Sequence, residues 1–218
     1  MSNKLINFYA TIKDEKRINP NYDIHKLNLP FRAIICTASG GGKTNLLMNI
    51  LYEFNNTFHK IIVITKAEEP LYDKLKEKLK DEVDIHYDGK TLDATSLPKL
   101  EKNENGLIVY DDMVLSQDKS IGEMFIRARK LGYSSIFISQ SYFQISKLIR
   151  QNCNYIWLGR GILDRDLKMI ISEYSINIDK DRLIHIYHHI TSKKMYFMLI
   201  DLDDRTIREN IKTILIKF

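Results

Sequence analysis

The stretch Thr37-Ala38-Ser39-Gly40-Gly41-Gly42-Lys43-Thr44 decides how this chain is read. It follows a short apolar run, Ala33-Ile34-Ile35-Cys36, and precedes an apolar helical pattern from Asn45 to Phe54. Strand, glycine-rich loop, Lys-Thr and helix in that order form a phosphate-binding P-loop. The glycines let backbone N–H groups turn inward around phosphate oxygens. Lys43 places a charge at the β- and γ-phosphates, and the Thr44 hydroxyl can ligate Mg²⁺. The helix that starts here adds the positive end of its dipole. The expected ATP-binding set is Thr37, Ser39, Gly40, Gly41, Gly42, Lys43, Thr44 and Asn45. Thr37 occupies the first glycine position of the usual G-x-x-x-x-G-K-[ST] pattern.

Working outward, apolar runs alternate with helical patterns. Strands are expected at Arg32–Cys36, Lys60–Thr65, Val83–Tyr87, Gly106–Tyr110, Ser134–Ser139, Tyr155–Leu158 and, last, Lys194–Asp201. Helices are expected at Lys43–Phe54, Glu69–Lys80, Thr95–Lys102, Ser120–Leu131, Ser146–Asn152, Asp164–Tyr174 and Asp179–His185. The central strands are nearly continuous Ile, Leu and Val, the mark of strands buried on both faces of a parallel sheet. The fold class is therefore α/β: a P-loop NTPase of the ASCE/RecA-like kind, with a mostly parallel central sheet covered by helices on both faces. Residues 1–29 read as an N-terminal arm, 30–201 as the P-loop ATPase domain and 202–218 as a basic C-terminal tail.

The chain has 218 residues, enough for one such domain without disulfides or metal. No apolar run is long enough to span a bilayer, and Met-Ser-Asn-Lys at the start lacks a signal-peptide apolar region, so a cytoplasmic protein is expected. Cys36 and Cys153 sit in apolar runs and read as buried, reduced thiols. His188-His189 has no partners at metal-ligand spacing. The net charge of +5 is compatible with a nucleic-acid partner without establishing one.

Three further elements belong with the P-loop. Leu107-Ile108-Val109-Tyr110-Asp111-Asp112 is an apolar strand ending in acids, the Walker B arrangement. Asp111 would hold Mg²⁺, and Asp112 would orient the attacking water or take its proton. The strand through Ile136-Phe137-Ile138-Ser139 ends in Gln140, where motor ATPases place a sensor of the γ-phosphate and lytic water. Arg127-Ala128-Arg129-Lys130-Leu131-Gly132 is a basic helix end just before that strand. Such ends commonly compensate the helix dipole. A motor subunit also needs a cation that reaches a neighbour's γ-phosphate, with Arg129 the first candidate and Arg127 the second; Arg150 and Arg160 stay open.

In this order the motifs resemble the FtsK/HerA superfamily of DNA-pumping ATPases, and within it the genome-packaging ATPases of large DNA viruses, poxviruses and virophages. Tyr133–Arg150 carries most of the specificity, with Pro30–Thr65 and Gly106–Met113 beside it. The resemblance implies an ATP-hydrolysing, Mg²⁺-dependent translocase that packages double-stranded DNA into a capsid. It implies a pentameric or hexameric ring at a capsid or portal vertex, working in the cytoplasm of the infected host cell (the viral factory) and in association with the virion. Lys43 and Thr44 map to the P-loop roles, Asp111 to magnesium, Asp112 to the catalytic acid (many relatives carry Glu), Gln140 to the sensor and Arg129 to an arginine of the bacterial translocases. A pump must grip phosphates without reading bases, and Lys119, Lys147 and Arg150, which follow strand ends on the nucleotide side, are the DNA candidates, against solvated surface charge. The alternative is a small nucleotide kinase or another self-contained NTPase, for which Arg160-Gly161-Ile162-Leu163-Asp164-Arg165 resembles a lid only loosely. A non-catalytic nucleotide-binding module ranks last, since Lys43, Asp111 and Asp112 are all present.

Overall fold

The computed structural model of the chain describes residues 6–8, 17–113 and 119–218. A short helix, α1 (Tyr22–His25), precedes β1 (Arg32–Cys36), which runs straight into the glycine-rich loop and α2 (Lys43–Glu53). Then come β2 (Lys60–Thr65), α3 (Pro70–Leu79), β3 (Val83–His86), β4 (Gly106–Asp111), α4 (Ser120–Arg127) and β5 (Tyr133–Ser139). The chain continues through α5 (Lys147–Arg150), β6 (Tyr155–Leu158), α6 (Asp164–Glu173), α7 (Lys180–Thr191), β7 (Met198–Asp201), β8 (Thr206–Glu209) and β9 (Thr213–Lys217). The strands form one sheet of nine in the order β3-β2-β4-β5-β1-β6-β7-β8-β9. From β3 to β6 every pairing is parallel; from β6 to β9 every pairing is antiparallel.

Alternate residues of the parallel strands feed separate cores. Ala33, Ile35, Val63, Val109 and Ile138 pack with Leu46, Leu47 and Ile50 of α2 and with Tyr72 and Leu75 of α3. Ile34, Cys36, Ile64, Tyr110 and Phe137 pack on the other face with Met124 and Phe125 of α4, Ile149 of α5, Leu167 and Ile170 of α6, and Leu183 and Tyr187 of α7. This is why the strands lack polar alternation: both faces are dry, and each large apolar side chain so buried contributes roughly 1.5–3 kcal/mol. Cys36 and Cys153 are free and buried, and burial pushes the Cys36 thiol up to about 12.

The register sets the site. Cys36 lies opposite Ser139, and Asp111 opposite Ile138 and Thr65, so β1, β5, β4 and β2 end together. Their following loops open on one rim, the crevice outside the carboxyl ends where ligands of such sheets bind.

Several sequence expectations need correction. Thr95–Lys102 is not helical. Asp93 Oδ1 accepts from the backbone N–H groups of Thr95 and Ser96, an Asx turn that competes with a helix start. The Pro98 carbonyl is taken by the Tyr133 hydroxyl at 2.8 Å. The helix expected at Asp179–His185 runs on to Thr191, because Tyr187 and Ile190 keep one face buried. The strand expected at Lys194–Asp201 starts only at Met198 and is not the last. The supposed basic tail 202–218 instead folds back as β8 and β9, turning where Asp201 Oδ1 accepts from the N–H groups of Asp203 and Asp204. Its exposed lysines mark the outer strand of a sheet, not a free segment. Residues 17–29 are likewise tied to the body: Asn21 Nδ2 donates to the Glu53 carbonyl at 2.9 Å, His25 stacks on Phe54 with ring centroids 4.0 Å apart, and the Asn28 N–H donates to the Tyr155 hydroxyl. The rest of the expected arm, residues 1–5 and 9–16, lies outside the described residues.

Candidate functional site

The loop after β1 is pinned at its start. Thr37 N–H donates to the Ser139 carbonyl at 3.3 Å and Ala38 N–H to the Arg160 carbonyl at 3.0 Å. The Thr37 hydroxyl donates to that same Arg160 carbonyl at 2.8 Å. This accounts for threonine at the first glycine position: its side chain anchors the loop to the end of β6. The close packing shifts the need for glycine elsewhere, since a Cβ at Gly41 or Gly159 would strike Thr37, and one at Gly161 would strike Ala38. Gly40 and Gly42 adopt φ of +69° and +88°, the left-handed region that glycine enters without penalty. Gly42 is the N-cap of α2, so the turn delivers Lys43 and Thr44 to the first turn of that helix. Ser39 and Asn45 are exposed at the mouth of the loop. Met195, from the connection between α7 and β7, lays its thioether against Gly42.

Across the rim, Asp111 ends β4. It is drawn inward, and its pKa is raised by burial; the hydrogen bond from Tyr72 and the charge of Lys43 act the other way. Asp112 is close enough that its charge also bears on Asp111. Asp112 takes φ of +55°, a left-handed conformation that Asp tolerates better than most side chains. The chain therefore leaves the sheet at once after Asp111. Two residues that sequence reasoning missed enter from the first turn of α3. Tyr72, fully buried, donates its hydroxyl to Asp111 Oδ2 at 2.6 Å. Glu69, the N-cap of α3, accepts from Leu71 N–H through Oε1, while Oε2 lies 3.5 Å from the Thr44 hydroxyl that donates to it. Pro70 marks this helix start in the sequence, but nothing in a single sequence says that the cap faces a P-loop.

The donors gathered here are hard oxygens, the kind Mg²⁺ prefers. Among the described residues no cluster of three His, Cys, Asp or Glu could hold a metal unaided. A nucleotide-bound Mg²⁺ needs only one or two protein oxygens, with phosphate and water supplying the rest. Thr44 and Asp111 fit that requirement.

Gln140 follows Ser139, which sits between the ends of β1 and β4, so the sensor candidate is exposed beside the start of the P-loop. Arg127 and Arg129 are exposed at the opposite rim, before β5 begins. The seven residues of β5 separate them from their own P-loop by about 20 Å at roughly 3.3 Å per residue. They therefore lie out of reach of this chain's own P-loop. Arg160 is not free for such work: Nε donates to the Thr191 carbonyl and Nη2 to the Ser192 carbonyl, compensating the end of α7. Those bonds also tie the loosely lid-like segment to the body.

Lys119 and Lys147 are exposed at the starts of α4 and α5, which touch through Gly122 and Leu148. Arg150 departs from the expectation. Its side chain is 13 % exposed, pairs with Glu173 at 3.6 Å and lies over the rings of Tyr142 and Phe143. It joins α5, α6 and the loop after β5, and is committed to that packing rather than to DNA.

A family model described as Poxvirus A32 protein matches residues 20–207. An uncharacterized protein of Acanthamoeba polyphaga mimivirus is 23 % identical over 163 residues, 71 % of this chain and 54 % of that protein. The chain thus spans about half the length of the curated relative it matches. The fold is similar to that of the genome packaging NTPase B204 of Sulfolobus turreted icosahedral virus 2, solved with ATP-gammaS: TM-score 0.56, 15 % identity, covering 87 % of this chain and 100 % of that one. It is also similar to the pCW3 conjugation coupling protein TcpA, at TM-score 0.50 and 11 % identity, covering 85 % and 60 %.

Proposed function

The chain belongs to the Poxvirus A32 protein family, and from that membership we propose that it is an ATP-hydrolysing motor that drives double-stranded viral DNA into a capsid. The observation that carries the reading is the meeting of Lys43 and Thr44 with Asp111 and Asp112 across one rim, with Gln140 just past the end of the strand between them. Family membership and the fold shared with a genome packaging NTPase support the same reading.

The P-loop N–H groups and Lys43 bind the phosphates and meet the charge that develops on the γ-phosphoryl oxygens. Thr44 and Asp111 would hold Mg²⁺, which when bound neutralises phosphate charge. Asp112 takes the proton of the attacking water, and Gln140 orients that water. Arg129 from a neighbouring copy completes the site in a pentameric or hexameric ring, with Arg127 second in line; arginines in this role accelerate comparable reactions about 10³–10⁵-fold. Lys119 and Lys147 face the pore and grip DNA phosphates, a sequence-blind contact. The partners are duplex DNA and the capsid or portal vertex, and the place of work is the viral factory in the host cytoplasm, with the virion second. Among the described residues no helix is long and apolar enough to cross a membrane.

Steady-state phosphate release tests the proposal. Turnover is expected to rise with protein concentration and with long duplex DNA. Turnover indifferent to both would point to a self-contained NTPase or kinase. Mixing Lys43→Ala with Arg129→Ala subunits is expected to restore activity, because one kind of interface then joins an intact P-loop to an intact arginine. Failure of that rescue in assembled rings would remove Arg129 from the role.

A further inference from the structure

The first turn of α3 carries groups that the Walker motifs do not use. Resting on the reading of the P-loop as an Mg²⁺–ATP site, we infer that Glu69 is a positioning residue for the metal, acting through Thr44. A threonine hydroxyl has one proton and two lone pairs. It ligates a cation only when the proton points away, and a free rotor does not ensure that. Glu69 Oε2 lies 3.5 Å from Thr44 Oγ1, the outer reach of a hydrogen bond; from there it takes the proton when the hydroxyl turns its lone pairs to a cation. The other carboxylate oxygen holds the Leu71 N–H at 3.3 Å, so the carboxylate is fixed to the start of α3. Glu69 is half-buried, and its charge also bears on Asp111. From the same turn, Tyr72 fixes Asp111 through a 2.6 Å hydrogen bond. Each protein oxygen offered to the metal therefore has its own support on α3: Glu69 behind Thr44, Tyr72 behind Asp111. Outer partners of this kind set metal affinity by about 10–100-fold.

The test uses the full chain, ATP-gammaS as nucleotide and Mn²⁺ as a paramagnetic probe. Glu69→Ser keeps a helix N-cap but cannot reach Thr44. It is expected to keep the thermal midpoint and the nucleotide affinity measured in EDTA, while Mn²⁺ binding to the nucleotide complex weakens about 10–100-fold. Unchanged Mn²⁺ affinity would overturn the inference, as would a parallel loss of metal-free nucleotide affinity, which is the signature of a disturbed loop. Glu69→Gln, nearly isosteric, is the second variant. It offers one carbonyl oxygen for two donors and is expected to lose Mn²⁺ affinity as well; wild-type affinity there counts against the role. Wild-type protein that binds no ATP-gammaS sinks the P-loop reading and this inference with it. Wild-type protein that binds Mn²⁺ and nucleotide, matched by Glu69→Ser, sinks this inference alone.

Discussion

The parallel half of the sheet, β3 to β6, and the antiparallel half, β7 to β9, are built from similar apolar strands yet do different work. Parallel strands bring their carboxyl ends to one rim, so Thr37, Asp111 and Gln140 gather although they are far apart in sequence. Antiparallel strands send successive ends to opposite rims and cannot assemble a site that way. What β7 and β8 carry instead is a buried ion pair: Arg208, 1 % exposed, donates Nη2 to Asp201 Oδ2, and Nη1 to the His25 carbonyl at 2.9 Å. That pair clamps the end of the sheet to the residues before β1. Strand direction divides chemistry from scaffolding, and substitutions in the two halves should therefore fail in opposite ways.

The largest expected effect lies in the parallel half. Asp112→Asn removes the proton acceptor and keeps the shape, so turnover should fall by about 10²–10⁴. ATP binding and the unfolding midpoint should stay near wild type, read by equilibrium binding and thermal melting. A melt shifted as far as the rate would mean that Asp112 is scaffold, and the division would fail on its chemical side. The next effect lies in the antiparallel half. Arg208→Leu leaves the Asp201 carboxylate buried without its cation and should destabilise the fold by about 3–5 kcal/mol in denaturant titration. Nucleotide affinity of the fraction still folded should be unchanged. Loss of affinity without loss of stability would show that β8 reaches the site after all.

The same division governs what could be read from the sequence. The strands covered on both faces declared themselves, since a run such as Ile61-Ile62-Val63-Ile64 has few other homes. The P-loop and the Asp111-Asp112 strand end carry residue types that only phosphate and metal chemistry explains at that spacing. The antiparallel strands β7 and β8 are buried but only four residues long, while β9, Thr213–Lys217, is mostly exposed and blends into a basic tail when read alone. Glu69 and Tyr72 were missed for another reason. Their meaning lies in contacts across 25 and 39 residues of sequence, to Thr44 and Asp111, and no local pattern encodes a partner that distant. Arg150 shows the converse. Its charge suggested DNA, while the aromatic pair and Glu173 that claim it become visible only in space.

The smallest effect is also the most specific, because its sign is fixed. His25 is fully buried, and burial first, then Arg208 and Lys212, push it down to about 4 from 6.5. The unfolded chain thus binds a proton that the folded chain refuses. The stability this contributes is whole above pH 6.5 and is lost as pH falls towards 4. Asp201 runs the other way. Burial lifts it to about 6 from 3.8, so the folded chain holds the extra proton and gains stability as pH falls through that window. Below pH 6 the two opposing slopes largely cancel in the wild-type chain. His25→Asn keeps an acceptor for the Leu27 N–H, which His25 Nδ1 holds at 2.9 Å, and removes only the histidine's slope. Subtracting the variant's unfolding free energy from the wild type's cancels every other titrating group. The difference should fall by about 3 kcal/mol between pH 7 and pH 4. Parallel curves would mean that His25 takes up its proton in the folded state, and that the clamp between α1 and β8 opens in acid rather than holding a dry, neutral ring.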